Sequence, residues 1–292
     1  MPRTNATPPM NNDLATKIIR WGNEIPFGDL PFFGALLETK EGAVAFLDAA
    51  YHTLTTEPVS NADFSAVNWA LREAAIARIS FGNAPDIYYH DIISAHPIVD
   101  VLLSSVNGRG LGRRYSALYT FDKVHIYSAI PRLYDIFQQR LHRDPFLISD
   151  MIHRIHWREI GLQQEDLQSQ AVQSPSFWTR WCLLEHGTQP TIHEPLPAYL
   201  TTLTHDSHPL VRAEAQFVAA EWEIRKSLWD IGKGEGRSER RRDLKVIRRE
   251  NSALIQFGTL VNLFLNAKSE TDGDDYTIAD LDAYLESLIV KG

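Results

Sequence analysis

The segment from Leu200 to Trp222, LTTLTHDSHPLVRAEAQFVAAEW, constrains the fold more than any other part of the chain. Apolar residues recur at helical spacing over Leu200 and Leu203 and pause around Asp206. They resume after Pro209, where Val211, Ala215, Val218 and Trp222 share one face. Proline fits the first turn of a helix, because its missing N–H would have no partner there. The segment therefore predicts a short helix, a tight turn and a second helix. A pair of this kind has an apolar face that it cannot cover alone, so neighbouring pairs must stack on it.

The same punctuation recurs upstream. Pro97, Pro145, Pro175 and Pro209 follow His96, Asp144, Ser174 and His208, and each precedes an apolar helical run. Asp and Ser are good N-caps and His a poorer one. The prolines stand 48, 30 and 34 residues apart, which suits helical-hairpin repeats of ~30 to 50 residues. Leu133, Ile136, Phe137 and Leu141 predict one helix, and Ile148, Met151, Ile152 and Ile155 its companion across Asp144–Pro145. Phe177, Trp178, Trp181 and Leu184 predict a helix after Pro175, with only a short companion near Leu162 to Leu167. Helices are also expected over Asp13 to Glu24, Glu41 to Leu54 (Val44, Leu47 and Tyr51 on one face) and Asn61 to Ile79. A long one is expected over Leu244 to Asn266, and a last one opens at Thr277 with Asp280 as a capping-box variant. Alternating strand patterns are nearly absent.

The Leu200 to Trp222 unit resembles a HEAT repeat. The matching residues are Leu200 and Leu203 in the first helix, Asp206 in the turn, and Pro209, Val211, Arg212 and Ala215 in the second. The resemblance is looser over Ile130 to Trp157. It implies an all-α fold in which antiparallel helix pairs stack as a short, curved HEAT-like solenoid, with a partner held on the concave face. It also implies that Asp206 and Arg212 stabilise the turns and neighbouring repeats. The expected organisation is a disordered tail over 1–12, a helical repeat domain over 13–230, a linker over 231–239 containing the glycine-rich IGKGEG, and a C-terminal helical cap over 240–292.

Charge is distributed unevenly. The net charge is −8, yet Arg237 to Arg249 holds seven basic residues against two acidic ones, a net of +5 that leaves −13 for the rest. An acidic bulk argues against a general nucleic-acid binder, which needs a broad positive face. Two basic clusters are candidate binding residues: Arg109, Arg113 and Arg114 in the loop NGRGLGRR, suited to an anion, and Arg237, Arg240, Arg241 and Arg242 in the basic segment. No run of ~18 apolar residues signals a membrane span, and one cysteine, Cys182, fits a reducing, cytoplasmic setting.

Catalytic signatures are absent: no serine elbow, zinc-protease motif or kinase set appears. Cys182 stands four residues before His186, but its neighbours Trp181, Leu183 and Leu184 imply a buried, quiet thiol. The histidine pairs His153/His156 and His205/His208 have metal-compatible spacing. Deoxyhypusine hydroxylases, which are HEAT-repeat proteins, hold two irons with four His-Glu pairs; this chain has one, His193–Glu194. The expectation is a non-enzymatic scaffold or adaptor that binds another protein, with no metal, cofactor or membrane. A nucleic-acid-associated repeat protein using Arg237 to Arg249 is the first alternative, and a metal-dependent enzyme on a HEAT-like scaffold the second.

Overall fold

The computed structural model describes residues 10–24, 35–56, 59–80, 89–185, 195–232, 234–270 and 276–289. Among these the chain is all-α, with no strand. The helices are α1 (Met10–Glu24), α2 (Lys40–Thr55), α3 (Asn61–Ser80), α4 (Tyr89–Ser94), α5 (Ile98–Asn107), α6 (Leu111–Val124), α7 (Ile130–Arg140) and α8 (Pro145–Arg154). They continue as α9 (Gln164–Val172), α10 (Phe177–Glu185), α11 (Ala198–Leu203), α12 (Pro209–Ile231), α13 (Arg237–Glu250), α14 (Ser252–Glu270) and α15 (Ile278–Ile289). No helix among the described residues is long and apolar enough to cross a membrane. The chain divides into two compact units, one of residues 1–133 with 267–276, the other of 134–266 with 277–292.

In the first unit α1 packs on α2 and α3, α3 on α6, and α5 on both α2 and α6. The α1–α3 crossing is very close: a Cβ at Gly22 would lie 2.1 Å from the Ala66 carbonyl oxygen. Only glycine permits that approach. The buried face of α2 is Ala43, Phe46, Leu47, Ala49, Ala50 and Leu54; the expected Val44 and Tyr51 are only half-buried. The reason is that α2 is flanked by several helices, and its alanines let them come near. One polar pair lies inside this core. Thr120 Oγ donates to Asn68 Oδ1 at 2.7 Å, and Asn68 Nδ2 donates to the Phe64 carbonyl at 2.9 Å. Both residues are fully buried, so each bond prevents the cost of an unsatisfied polar group.

In the second unit α8 packs on α10, α10 on α12, and α9 on α11. Local sequence starts these helices. Asp144 Oδ1 accepts the Leu147 N–H, and Pro145 takes the first position of α8. Pro209 does the same for α12, behind His208, which makes no side-chain cap bond. Before α10 the arrangement shifts: Ser176, not Ser174, accepts the N–H of Thr179, while Ser174 Oγ accepts that of Ser176. A full helix, α9, stands where the sequence suggested only a short companion. Its buried stripe, Leu167, Gln168 and Ala171, is too narrow and too polar to register as periodicity. The expected helix over 244–266 is instead two helices, α13 and α14. Asn251 ends the first, its side-chain amide donating to the Ile247 carbonyl at 2.8 Å. The Thr277–Asp280 capping box forms as expected, at 2.8 and 3.1 Å.

Side chains link α7 to α9, the turn before α8 to the segment before α10, and α8 to α10. Gln138 Nε2 donates to Gln170 Oε1 at 2.7 Å, His142 Nδ1 lies 2.9 Å from Ser174 Oγ, and Ser149 Oγ donates to the Cys182 carbonyl at 2.9 Å. The separations are 32, 32 and 33 residues. Phe257 of α14 stacks on Trp178 and meets Trp181 edge-on, with centroids 5.9 and 5.3 Å away.

Asp206 is the most heavily bonded turn residue. Its carboxylate accepts two bonds from Arg180 of α10, at 2.7 and 3.1 Å, and the His208 N–H at 2.7 Å. Its carbonyl accepts from Arg212 at 2.6 Å. Burial alone would raise the Asp206 pKa; the Arg180 hydrogen bonds and the His208 N–H outweigh it and hold the carboxyl below its ordinary value. A folded pKa below the unfolded one (~3.9) gives stability that is full above the unfolded value and lost as pH falls through the folded one. Replacing Asp206→Asn should lower stability at pH 7 by about 3 kcal/mol, as for a broken buried pair. The gap to the wild type should narrow below about pH 4. Urea denaturation at a series of pH values reads both; a gap that stays constant into acid would show that the carboxylate is not the source.

Candidate functional site

The anion loop expected at 107–114 is largely helix. Gly108 caps α5, Gly110 precedes α6, and Arg113 and Arg114 fall in the first turn of α6. Arg113 Nε donates to Asn61 Oδ1 at 2.6 Å, a second nitrogen donates to the Val59 carbonyl, and the guanidinium lies over the Phe64 ring. Arg114 is buried, with its guanidinium 5.9 Å from the centroid of Tyr276. Arg109 is exposed. The three guanidiniums are thus not gathered around one point; two of them hold the first unit together.

The other chemical candidates also resolve into packing. His153 Nδ1 lies 2.7 Å from the Gln164 amide, and His156, beyond the end of α8, is exposed. His208 stacks on Phe177 at 4.0 Å while His205 is exposed beside Thr204. Among the described residues no three His, Cys, Asp or Glu side chains converge into a metal-binding group. His186 and His193–Glu194 lie outside the described residues. Cys182 is fully buried. Trp157, Trp178, Trp181 and Trp222 belong to the core, Trp69 is half-buried, and Trp229 is 56% exposed.

The basic segment is different, because it forms a surface. Gly232 caps α12, and Gly236, at φ +89°, turns the chain into α13. A side chain would strain that left-handed backbone. The two helices then pack along each other. Residues about equally far from the turn meet: Arg248 donates to Glu221 at 2.7 Å, and Arg225, one turn along α12, donates to the same carboxylate. Burial tends to raise the Glu221 pKa, but the bonds from Arg248 and Arg225 prevail and hold it low. Glu221 therefore anchors α13, a helix without one buried residue.

The cations of α13 fall into two sets. Arg237 donates to the Gly232 carbonyl, Arg240 pairs with Asp243 at 3.2 Å, and Arg248 pairs with Glu221. Arg241, Arg242, Lys245 and Arg249 are exposed and make no ion pair with a described residue. Three of these four, Arg241, Arg242 and Lys245, line one open cavity of ≈ 610 Å³ together with Arg237, Glu235 and the Gly234–Gly236 turn. The sequence reading placed Arg237, Arg241 and Arg242 here, and the structure brings them together. Arg240 is turned to its own carboxylate partner. Lys245 was not singled out, although it follows Arg241 by one helical turn, the spacing that puts two side chains on one face.

Substituting Arg113→Ala should lower stability by about 1–3 kcal/mol, because the half-buried acceptors it satisfies, Asn61 and Val59, lose their donor. Arg109→Ala should change stability by less than about 0.5 kcal/mol, as at an ordinary exposed site. Thermal unfolding of both variants checks this; equal effects would remove the structural role assigned to Arg113. The chain matches no protein-family model, no curated protein and no solved structure.

Proposed function

We propose that this chain is a non-enzymatic helical-repeat scaffold, a short HEAT-like stack of helix pairs with further helices capping its ends, that binds another protein. The observation that carries the reading is the register of the second unit. Three hydrogen bonds that join α7, α8 and the turn between them to α9, α10 and theirs share offsets of 32, 32 and 33 residues, and the second helices of the pairs, α8, α10 and α12, pack in sequence order. A shared offset across one junction is what two copies of one structural unit produce. The Asp206–Arg180 pair ties a turn to the preceding helix pair, in keeping with the role that the HEAT resemblance implies for that aspartate. Stacked pairs present a continuous face along their length, suited to a partner with an extended surface.

A nucleic-acid-associated role is the second reading, favoured by Arg241, Arg242 and Lys245 in one cavity. The net −13 of the remaining chain weighs against it, since neutralising many phosphates needs a broad positive face. The metal-enzyme reading draws on His153/His156 and His205/His208, which join no metal-binding group among the described residues, and on His193–Glu194, outside the described residues.

Co-purification of the full chain from its native cells, with and without nuclease, separates these readings. The scaffold should retain a stoichiometric protein partner after nuclease treatment. In filter binding it should hold oligonucleotides weakly. A complex dispersed by nuclease, with oligonucleotide affinity falling ~10³-fold or more between about 50 and 200 mM salt, would overturn the proposal in favour of the second reading. Stoichiometric iron or zinc in the purified protein would overturn it in favour of the third.

A further inference from the structure

The cations of α13 are sorted in a way that folding does not require. Arg237 and Arg240 each have a partner close by in the chain, and Arg248 is held by Glu221. Arg241, Arg242 and Lys245 are spared such pairing and line a single cavity, with Glu235 as the one carboxylate among the lining residues. None contributes to the core: all three are exposed, on a helix with no fully buried residue. Glu235 offsets part of their mutual repulsion, but no described carboxylate forms an ion pair with them, so these charges are available to a ligand.

We infer that this cavity receives an acidic, extended segment of a partner protein, with carboxylates at alternate positions. The inference deepens the protein-binding reading and rests on it for the choice of a peptide over a nucleic acid. Spacing supplies the rest. From Arg241 to Lys245 the helix rises about 6 Å. Residues i and i+2 of an extended peptide are about 6.6 Å apart and point to the same side. Two alternate carboxylates therefore match Arg241 and Lys245, and Arg242, next to Arg241, can take a third acceptor. Arginine suits this role because its planar fork engages a carboxylate through two N–H groups. A long polyanion would extend beyond the cavity toward a chain that is otherwise net negative, whereas a short acidic segment ends within the reach of these cations. Charges farther than about 8 Å are screened at physiological salt, so a short segment is repelled little by the rest.

The test is fluorescence anisotropy with the full chain and a labelled peptide of alternating Glu and Ser. Binding should weaken as salt is raised. The triple variant Arg241→Gln/Arg242→Gln/Lys245→Gln should lose about tenfold or more in affinity, the sum of three exposed charge pairs, with an unchanged circular dichroism spectrum. Arg249→Gln, equally exposed but outside the cavity, should stay within about twofold of the wild type. Glu235→Gln should tighten binding. Retention of full affinity by the triple variant, or an equal loss in Arg249→Gln, would overturn the inference. So would tighter binding of a single-stranded oligonucleotide than of the peptide. Because the assay uses purified protein and a defined probe, such a failure leaves the co-purification outcome, and with it the scaffold proposal, standing.

Discussion

The second unit depends on the carboxylate of Asp206. One short turn joins α11 to α12 and fixes the chain to α10 before it. Asp206 does both through separate atoms. Its carboxylate engages Arg180 from α10 and the His208 N–H just ahead of Pro209, and its carbonyl engages Arg212 one turn into α12. The Arg180 and Asp206 side chains are 12% and 7% exposed, so water competes little for these bonds, and losing either partner strands the other's charge. Apolar burial supplies attraction between helices but little direction. The bidentate pair supplies direction, and Gln138–Gln170, His142–Ser174 and Ser149–Cys182 hold the same relation between other helices.

What the sequence made legible is what is encoded locally. Asp144 with Pro145, His208 with Pro209, and Thr277 with Asp280 each mark a helix start, because cap chemistry involves residues only a few positions apart. The all-α character followed from the 3.6-residue spacing. Features set by distant residues were not legible. The apolar pattern runs through Asn251 without a break, from Ile247 to Leu254, so nothing in the periodicity shows that α13 and α14 part there. The partners of Arg113, Val59 and Asn61, precede it by more than fifty residues. A guanidinium read as free beside glycines is therefore a structural tie in the folded chain. Likewise only Glu221, 27 residues before Arg248, decides that this arginine is engaged while Arg241 and Lys245 are not.

The candidate surface shows how one carboxylate sorts a run of like charges. Seven basic residues crowd α13, and several lie near its N-terminus, where the helix dipole already disfavours positive charge. Glu221 accepts from both Arg248 and Arg225, so the far end of α13 is pinned by charge, beside the half-buried Leu244 and Ile247. The near end is set by the Gly236 turn and the Arg237 bond to Gly232. Between those two fixings Arg241, Arg242 and Lys245 face solvent around one hollow.

A helix with no fully buried residue carries an evolutionary consequence. Substitution in a packed helix is restrained by volume and by the shape of its neighbours. On α13 these restraints are relaxed at the exposed positions and kept where Leu244 and Ile247 are half-buried and where Arg237 and Arg248 fasten it. Recognition could therefore diverge quickly on this one element, by exchange of single charges, while the body of the protein stayed unchanged beneath it.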